Sequence, residues 1–277
     1  MNVDMVMYWI KERHSIYKKR QAKLPKPWSD DPIFQNYRFC NVYREIDKVT
    51  IWITKHWVKP NKDAQDLWFA MVVARLVNWP STLEIMGFPK DLDENQFVGT
   101  IHKLQKAGQK TYSGAYIVST NGNSMDKADY LFQKVLTPLW SRRDFIRPMK
   151  GDTLEAFYTR LTTNIGMGTF MAAQVVADMK QVEPLKSAKD VKTFAAPGPG
   201  SKRGLNRVFG NPVDKPWKPA DWKRSLLELK AAVDPLVIEA GLPFIDAQNL
   251  QNSLCEIDKY ERVRLGQGTP RSGFPGR

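Results

Sequence analysis

The chain has 277 residues, with 42 Lys and Arg against 29 Asp and Glu, giving a formal charge of +13. Its 42% hydrophobic and 11% aromatic content can bury the core of one large domain or two small ones, which excludes disorder over most of the length. Cys40 and Cys255 form no CxxC pair and there are three histidines in all, so a disulfide framework, a four-cysteine cluster and a zinc site are excluded and no metal is expected.

The apolar run Leu67–Val77 carries Arg75 and is too short to cross a bilayer, while residues 1–10 contain Asp4 and no small-residue cleavage site. A cytoplasmic protein without membrane association is expected. The positive excess points to a polyanion, nucleic acid first.

Asp30 and Asp31 before Pro32 describe a helix start. Phe39, Val42, Tyr43, Ile46, Val49 and Ile53 then recur at spacings of three and four, predicting one long amphipathic helix through residues 37–57. Asp66–Val77 is apolar nearly all round and predicts a central buried helix that Pro80 ends. Asp91–Lys110 opens with acids and closes with Lys103, Lys106 and Lys110, in accord with the helix dipole. Helices are expected at 126–140, 153–163, 167–180, 221–240 and 247–263, and Ala115–Ser119 (AYIVS) is the best candidate for a short β piece. The fold class is mainly α.

Two Pro-, Gly- and Lys-rich stretches, Thr193–Gly210 and Asn211–Ala220, read as loops. Between Lys186 and Lys218 eight basic residues face two acidic ones. The expected organisation is a helical domain over 1–265, as one body or two lobes, with Lys186–Ala220 as a basic loop-rich insertion and 266–277 as a flexible tail.

Thr162–Lys180, TTNIGMGTFMAAQVVADMK, places Gly-x-Gly between apolar helical segments. Glycine permits a tight turn with positive φ, and bare N–H groups at the next helix start can meet a phosphate oxygen without reading base sequence. IGMGTFMAAQVVADM resembles the helix-hairpin-helix of DNA glycosylases related to endonuclease III, with Gly166 and Gly168 at its glycines. Phe170 stands where the lyase-type members carry their lysine, so the resemblance implies no β-lyase step.

A broader resemblance runs through WSDDPIFQNYRFCNVYREIDKVTIW (28–52), ARLVNWPSTLE (74–84), SGAYIVS (113–119), GMGTFMAAQVVADM (166–179), PGPGSKRGL (197–205) and LCEIDKYERVR (254–264). These blocks are similar, in order, to the α-glutamyl/putrescinyl thymine pyrophosphorylase family, whose helical domain also occurs in 5-hydroxymethyldeoxyuridine DNA kinases. The resemblance implies a helix-hairpin-helix glycosylase-like fold acting on modified thymine in phage DNA. An amino acid or polyamine would displace phosphate from a flipped 5-phosphomethyl- or pyrophosphomethyl-uracil; some relatives are instead implied to be glycosylases that excise hypermodified bases. Double-stranded DNA with modified pyrimidines is the expected partner, with a separate 5-hydroxymethyluracil DNA kinase as a further one. No cofactor is expected beyond the amine co-substrate. The chain contains no GxxxxGK[ST] string, so it lacks a P-loop for phosphorylation of its own. A non-catalytic DNA-binding accessory to a kinase is the remaining alternative.

Several residues can carry this chemistry. Arg38, Asn41 and Glu45 stand at helical spacing, and Arg38, Asn41 and Arg44 would offer guanidinium and amide groups to a phosphate and a base edge. Glu256, Lys259 and Tyr260 adjoin across a turn, where a carboxylate beside a lysine and a phenol can deprotonate an amine or water. Asp246 precedes that helix as an acid or its N-cap. Asp178 opposes the dipole at its helix C-terminus, which suggests a catalytic role it shares as candidate with Asp190. Gly198 and Gly200, beside Lys202 and Arg203, form a second prospective phosphate nest. Among the aromatics, Tyr37, Tyr43, Trp79 and Tyr116 lie in the family-like blocks, and no more than two are expected to touch a base.

Overall fold

The computed structural model describes residues 1–116, 118–120 and 122–270. The described residues form helices and no strand. Met1–Asp47 with Lys192–Arg277 make one compact unit, and Lys48–Val191 make a second. The first unit opens with α1 (Val3–Gln21) and α2 (Pro32–Asn36). The second holds α3 (Lys48–Ile53), α4 (Leu67–Val77), α5 (Pro80–Met86), α6 (Thr100–Lys106), α7 (Lys127–Tyr130), α8 (Thr137–Ser141), α9 (Arg143–Ile146), α10 (Leu154–Thr162) and α11 (Thr169–Met179). The chain then returns to the first unit as α12 (Pro199–Phe209), α13 (Pro219–Glu239) and α14 (Ala247–Arg264).

In the first unit, α1 starts where Asn2 Oδ1 accepts the Met5 N–H at 3.0 Å, and Lys18, Lys19 and Arg20 fill its last turn, both favourable to the helix dipole. Val6, Trp9, Ile10 and Ile16 are buried on its inner face. Each aliphatic side chain removed from water there contributes about 1.5–3 kcal/mol. That face also buries Arg13 and His14, which interrupt the apolar period and hide the helix in the sequence.

The Pro/Gly-rich stretch expected as a loop contains α12. Gly198 is its N-cap, and the Ser201 hydroxyl accepts the Gly198 N–H at 3.0 Å. Gly200 and Gly204, four apart on one face, let α12 press onto α14: a Cβ on Gly204 would lie 2.1 Å from the Leu254 carbonyl oxygen, and one on Gly200 would lie 3.3 Å from Cys255 Cβ. Gly200 and Gly204 serve close helix packing, so the expected loop is corrected to a helix start and its contact face.

The long helix expected through residues 37–57 does not form. α2 ends at Asn36, Tyr37 is extended at φ −119°, ψ 148°, and helix resumes only with a single 3-10 turn at Arg44–Ile46 and then α3. Phe39, Val42 and Tyr43 are buried all the same, against neighbours on α1 and α14. Their three- and four-residue spacing therefore reported burial of an irregular segment. Arg38, Asn41 and Glu45 accordingly share no helix face.

In the second unit all eleven residues of α4 are buried, and the helix packs against α11. A left-handed Asn78 at φ 48° ends it. Where a β piece was expected over Ala115–Ser119, residues 115–116 are bends and 118–119 are irregular, while Ile117 lies outside the described residues, as does 271–277 of the expected tail. No described helix is long and apolar enough to cross a membrane.

Candidate functional site

The segment 37–43 has few backbone hydrogen bonds of its own, and the first unit supplies them from side chains. The Cys40 N–H donates to Glu256 Oε2 at 2.9 Å, the Phe39 carbonyl accepts from Arg13 Nε at 3.1 Å, and the Arg44 N–H donates to Asn249 Oδ1 at 3.1 Å. A segment pinned in this way places Phe39 and Cys40 on the middle of α14.

Glu256 is 8% exposed, and its Oε2 also accepts from Lys259 Nζ at 2.7 Å. Among the described residues its Oε1 accepts no hydrogen bond. Lys259 Nζ stands 5.4 Å from the centre of the Phe39 ring, so the ammonium is held between a carboxylate and an aromatic face. The Cys40 thiol is pushed well up by the Glu256 charge and then by burial. The Cys255 thiol is pushed up to about 12 by burial and then by the same charge. Both shifts disfavour the thiolate, although Cys40 is exposed.

Tyr260, one residue beyond Lys259, donates its hydroxyl to Asp31 Oδ2 at 2.7 Å; Tyr8 donates to the same oxygen at 2.8 Å. Asp31 Oδ1 caps α2 by accepting the Ile33 N–H at 2.7 Å. Burial and then the Asp31 bond push the Tyr8 phenol up to about 12, and the same causes push Tyr260 upward. These phenols are therefore donors and not bases. Phe39 and Phe34 ring centres lie 6.2 and 5.2 Å from that of Tyr260, giving the cluster an aromatic wall.

Arg13 Nη2 donates to Asn41 Oδ1, and Asn41 Nδ2 donates to Asp47 Oδ1 at 2.6 Å. Burial raises the Asp47 carboxyl and lowers the Arg13 guanidinium. Asn41 is thus engaged at both ends inside the protein, Arg44 is buried, and Arg38 is exposed. Asp246 is the N-cap of α14, where its Oδ1 accepts the Asn249 N–H at 2.8 Å. On α12, Arg203 Nε donates to Asp258 Oδ2 at 2.9 Å, and Lys202 is half-buried beside it.

The glycine turn belongs to the second unit. Gly166 has φ +78°, and a Cβ there would lie 2.5 Å from Val135 Cγ2, so both conformation and space demand glycine. Gly168 caps α11 without a side-chain bond, leaving N–H groups of the first turn open to an anion. Ile165 and Phe170 flank it at 62% and 55% exposure. Val118, Ser119, Gly166, Gly168, Thr169, Phe170 and Met171 line a groove of about 400 Å³.

Asp178 has no free edge: it is 3% exposed, and its two oxygens accept from Arg75 Nε and Nη2, each at 2.6 Å. The unfavourable position at a helix C-terminus is compensated by that guanidinium, which also donates to Asn78 and Thr50. Asp190 caps α10, accepting the Leu154 and Glu155 N–H groups at 2.8 and 3.0 Å.

The first unit thus gathers Glu256, Lys259 and Tyr260, while Gly166, Gly168 and Asp178 belong to the second. Tyr8, Asp31, Arg13 and Asp258 complete the first unit's polar arrangement and were not singled out from sequence as site residues. Only Asp258 carried a local signal, its i,i+4 spacing to Arg262.

These features define a basic, mainly helical protein of two units with an acid-centred cluster in the first and a glycine-turn groove in the second. The chain belongs to the family described as "5-hmdU DNA kinase, helical domain", whose model matches residues 1–269. It is 26% identical over 292 residues to the 5-hmdU DNA kinase of Bacillus phage SP10, an alignment that covers 93% of this chain and 44% of that protein. The chain therefore spans less than half the length of that relative. No solved structure matches it.

Proposed function

We propose that this chain is a DNA base-hypermodifying transferase of the α-glutamyl/putrescinyl thymine pyrophosphorylase kind. It acts on a 5-phosphomethyl- or pyrophosphomethyl-uracil flipped out of phage DNA, the product expected of a 5-hydroxymethyluracil DNA kinase. The nitrogen of an amino acid or polyamine attacks the exocyclic methylene carbon. The C–N bond forms as the C–O bond breaks, the electron pair leaves with the phosphate or pyrophosphate, and the proton shed by nitrogen passes to Glu256 Oε1. Lys259 holds Oε2 and adds positive charge beside the departing anion. Tyr260 and Phe39 provide a wall for an unstacked base.

The observation that carries this reading is the division of labour on Glu256: one oxygen is fixed by Cys40 and Lys259, and the other has no partner among the described residues. In the second unit, the open N–H groups after Gly168 and the exposed Ile165 and Phe170 suit a helix-hairpin-helix grip on the DNA backbone. Excision by an aspartate near this turn is less well supported, because Asp178 is locked to Arg75 and Asp190 is a helix cap.

The test is to incubate the protein with DNA carrying 5-hydroxymethyl-, phosphomethyl- or pyrophosphomethyl-uracil, with and without glycine, glutamate or putrescine, and to analyse nucleosides by mass spectrometry. An amine-dependent adduct on a phosphorylated base is expected. Abasic sites would replace the reading with glycosylase action, and no change on any substrate would leave an accessory DNA-binding module.

A further inference from the structure

We infer that Arg203, Arg207 and Arg262 form a phosphate-binding site organised by the buried carboxylate of Asp258. Asp258 lies on α14 at 1% exposure, and Arg203 and Arg207 rise from α12 so that each donates Nε to one of its oxygens, both at 2.9 Å. Arg262, one turn along α14, brings its Nε to 3.6 Å from the same carboxylate without making a hydrogen bond. Three guanidiniums against one carboxylate leave a net charge of +2.

A tie between two helices needs only the first two of these arginines. They bond one to each oxygen, and the third, attracted by the same carboxylate at 3.6 Å, adds a second unit of uncompensated charge beside two other guanidiniums. The charge excess is explained by a further anion. The free donors stand where such an anion would bind: Arg203 spends only its Nε on Asp258, and its Nη groups have no acceptor among the described residues. The side chains of Arg203 and Arg262 are 34% and 37% exposed, whereas that of Arg207 is 7% exposed and its Nη2 donates to Gln267 Oε1 at 2.8 Å. Arg207 thus anchors the group, and Arg203 and Arg262 present their forks to solvent. Planar forks fixed from behind match a tetrahedral oxyanion and lose little entropy on binding it. Lys202, adjacent to Arg203 in the chain, adds to the local field. The ligand is a phosphate group, supplied either by the diester backbone of DNA or by a phosphomonoester or pyrophosphate.

The inference deepens the proposed function by naming what holds phosphate in the first unit, and its test needs neither modified DNA nor turnover. Inorganic phosphate, pyrophosphate and an unmodified duplex are titrated against the wild-type chain, Arg203→Ala/Arg262→Ala, and Arg203→Lys/Arg262→Lys. Wild type should bind phosphate or pyrophosphate, and the alanine variant should lose at least tenfold in that affinity. The lysine variant keeps the charge without the fork and should fall between them; it decides the matter should the alanine variant fail to fold. A plot of log K against log salt for the duplex that flattens by about one unit or more in the alanine variant assigns the site to the backbone. An unchanged slope with lost pyrophosphate binding assigns it to a phosphomonoester or pyrophosphate. Equal anion affinity and equal slope in all three proteins, or no anion binding by wild type, would overturn the inference. A chain that passes this test yet forms no amine adduct would lose the proposed function and keep the phosphate site.

Discussion

Replacing Glu256 by Gln separates the carboxylate's structural task from its chemical one. A glutamine oxygen in the Oε2 position still accepts from the Cys40 N–H and from Lys259, and the amide nitrogen takes the position with no hydrogen-bond partner. The structural loss is the charge component of a pair whose carboxylate is buried, together with an amide NH2 left without an acceptor, about 1–3 kcal/mol. The chemical loss is the proton acceptor: a positioned general base contributes about 10²–10⁴-fold, or roughly 3–5.5 kcal/mol of barrier. Glu256→Ala adds the cost of an unpaired Cys40 N–H, about 1–3 kcal/mol of stability. The expected pattern is a glutamine variant that stays folded with a loss of no more than about 3 kcal/mol, binds DNA with the same salt dependence and transfers amine at least about 100-fold more slowly. Chemical denaturation and single-turnover adduct formation measure the two halves. A glutamine variant with turnover within a fewfold of wild type would refute the assignment of Glu256 as base.

Four further outcomes are expected. Gly204→Ala drives a methyl group to within 2.1 Å of the Leu254 carbonyl oxygen and should cost roughly 1–3 kcal/mol or more by denaturant titration; an unchanged midpoint would contradict the α12 to α14 packing. Asp178→Asn breaks a buried pair with Arg75 and should destabilise by about 3–5 kcal/mol, whereas a stability-neutral loss of activity would return Asp178 to the reacting groups. Tyr8 has its folded pKa raised to about 12 but is 46% exposed, so a contribution reduced by solvent screening is full below the unfolded value near 10 and is lost as pH rises from about 10 to 12. Thermal midpoints should fall less steeply over that window in Tyr8→Phe, and parallel curves would contradict the shared bond to Asp31. Replacing the exposed Ile165 and Phe170 together by Ser should leave stability within about 0.5 kcal/mol per site and weaken DNA binding; unaltered binding in a gel-shift titration would remove the glycine turn from the DNA contact.

Much of the helical framework was legible because the pattern and the burial coincide. α4, α10, α11, α13 and α14 fall within a few residues of their expected bounds, each set by an apolar run, a capping residue or a glycine stop. Three segments were not legible, for different reasons. α1 buries Arg13 and His14 in its inner stripe, which masks its period. α12 carries its glycines as contact points for α14, and glycine in sequence reads as a break. Residues 37–43 show helical spacing only because an extended segment placed Phe39, Val42 and Tyr43 in the core.

The same distinction governs the site. Glu256 with Lys259 was visible as an i,i+3 pair on one helix. The Cys40 N–H that fixes Glu256 lies 216 residues away in the chain, and the Asp31 shared by Tyr8 and Tyr260 lies 229 residues from Tyr260. Neither contact leaves a local spacing to read. Asp178 illustrates the converse, a helix-end acid whose unfavourable position suggested chemistry until Arg75, 103 residues distant, supplied its partner.

The central claim is displacement of phosphate by an amine on a base still attached to DNA. Its most direct measurement is a single-turnover reaction in which covalent amine and released phosphate or pyrophosphate are quantified together on the same phosphorylated oligonucleotide. One equivalent of anion per adduct, with the glycosidic bond intact and no release without amine, is the result the account predicts. Anion or free base released without an adduct would contradict it.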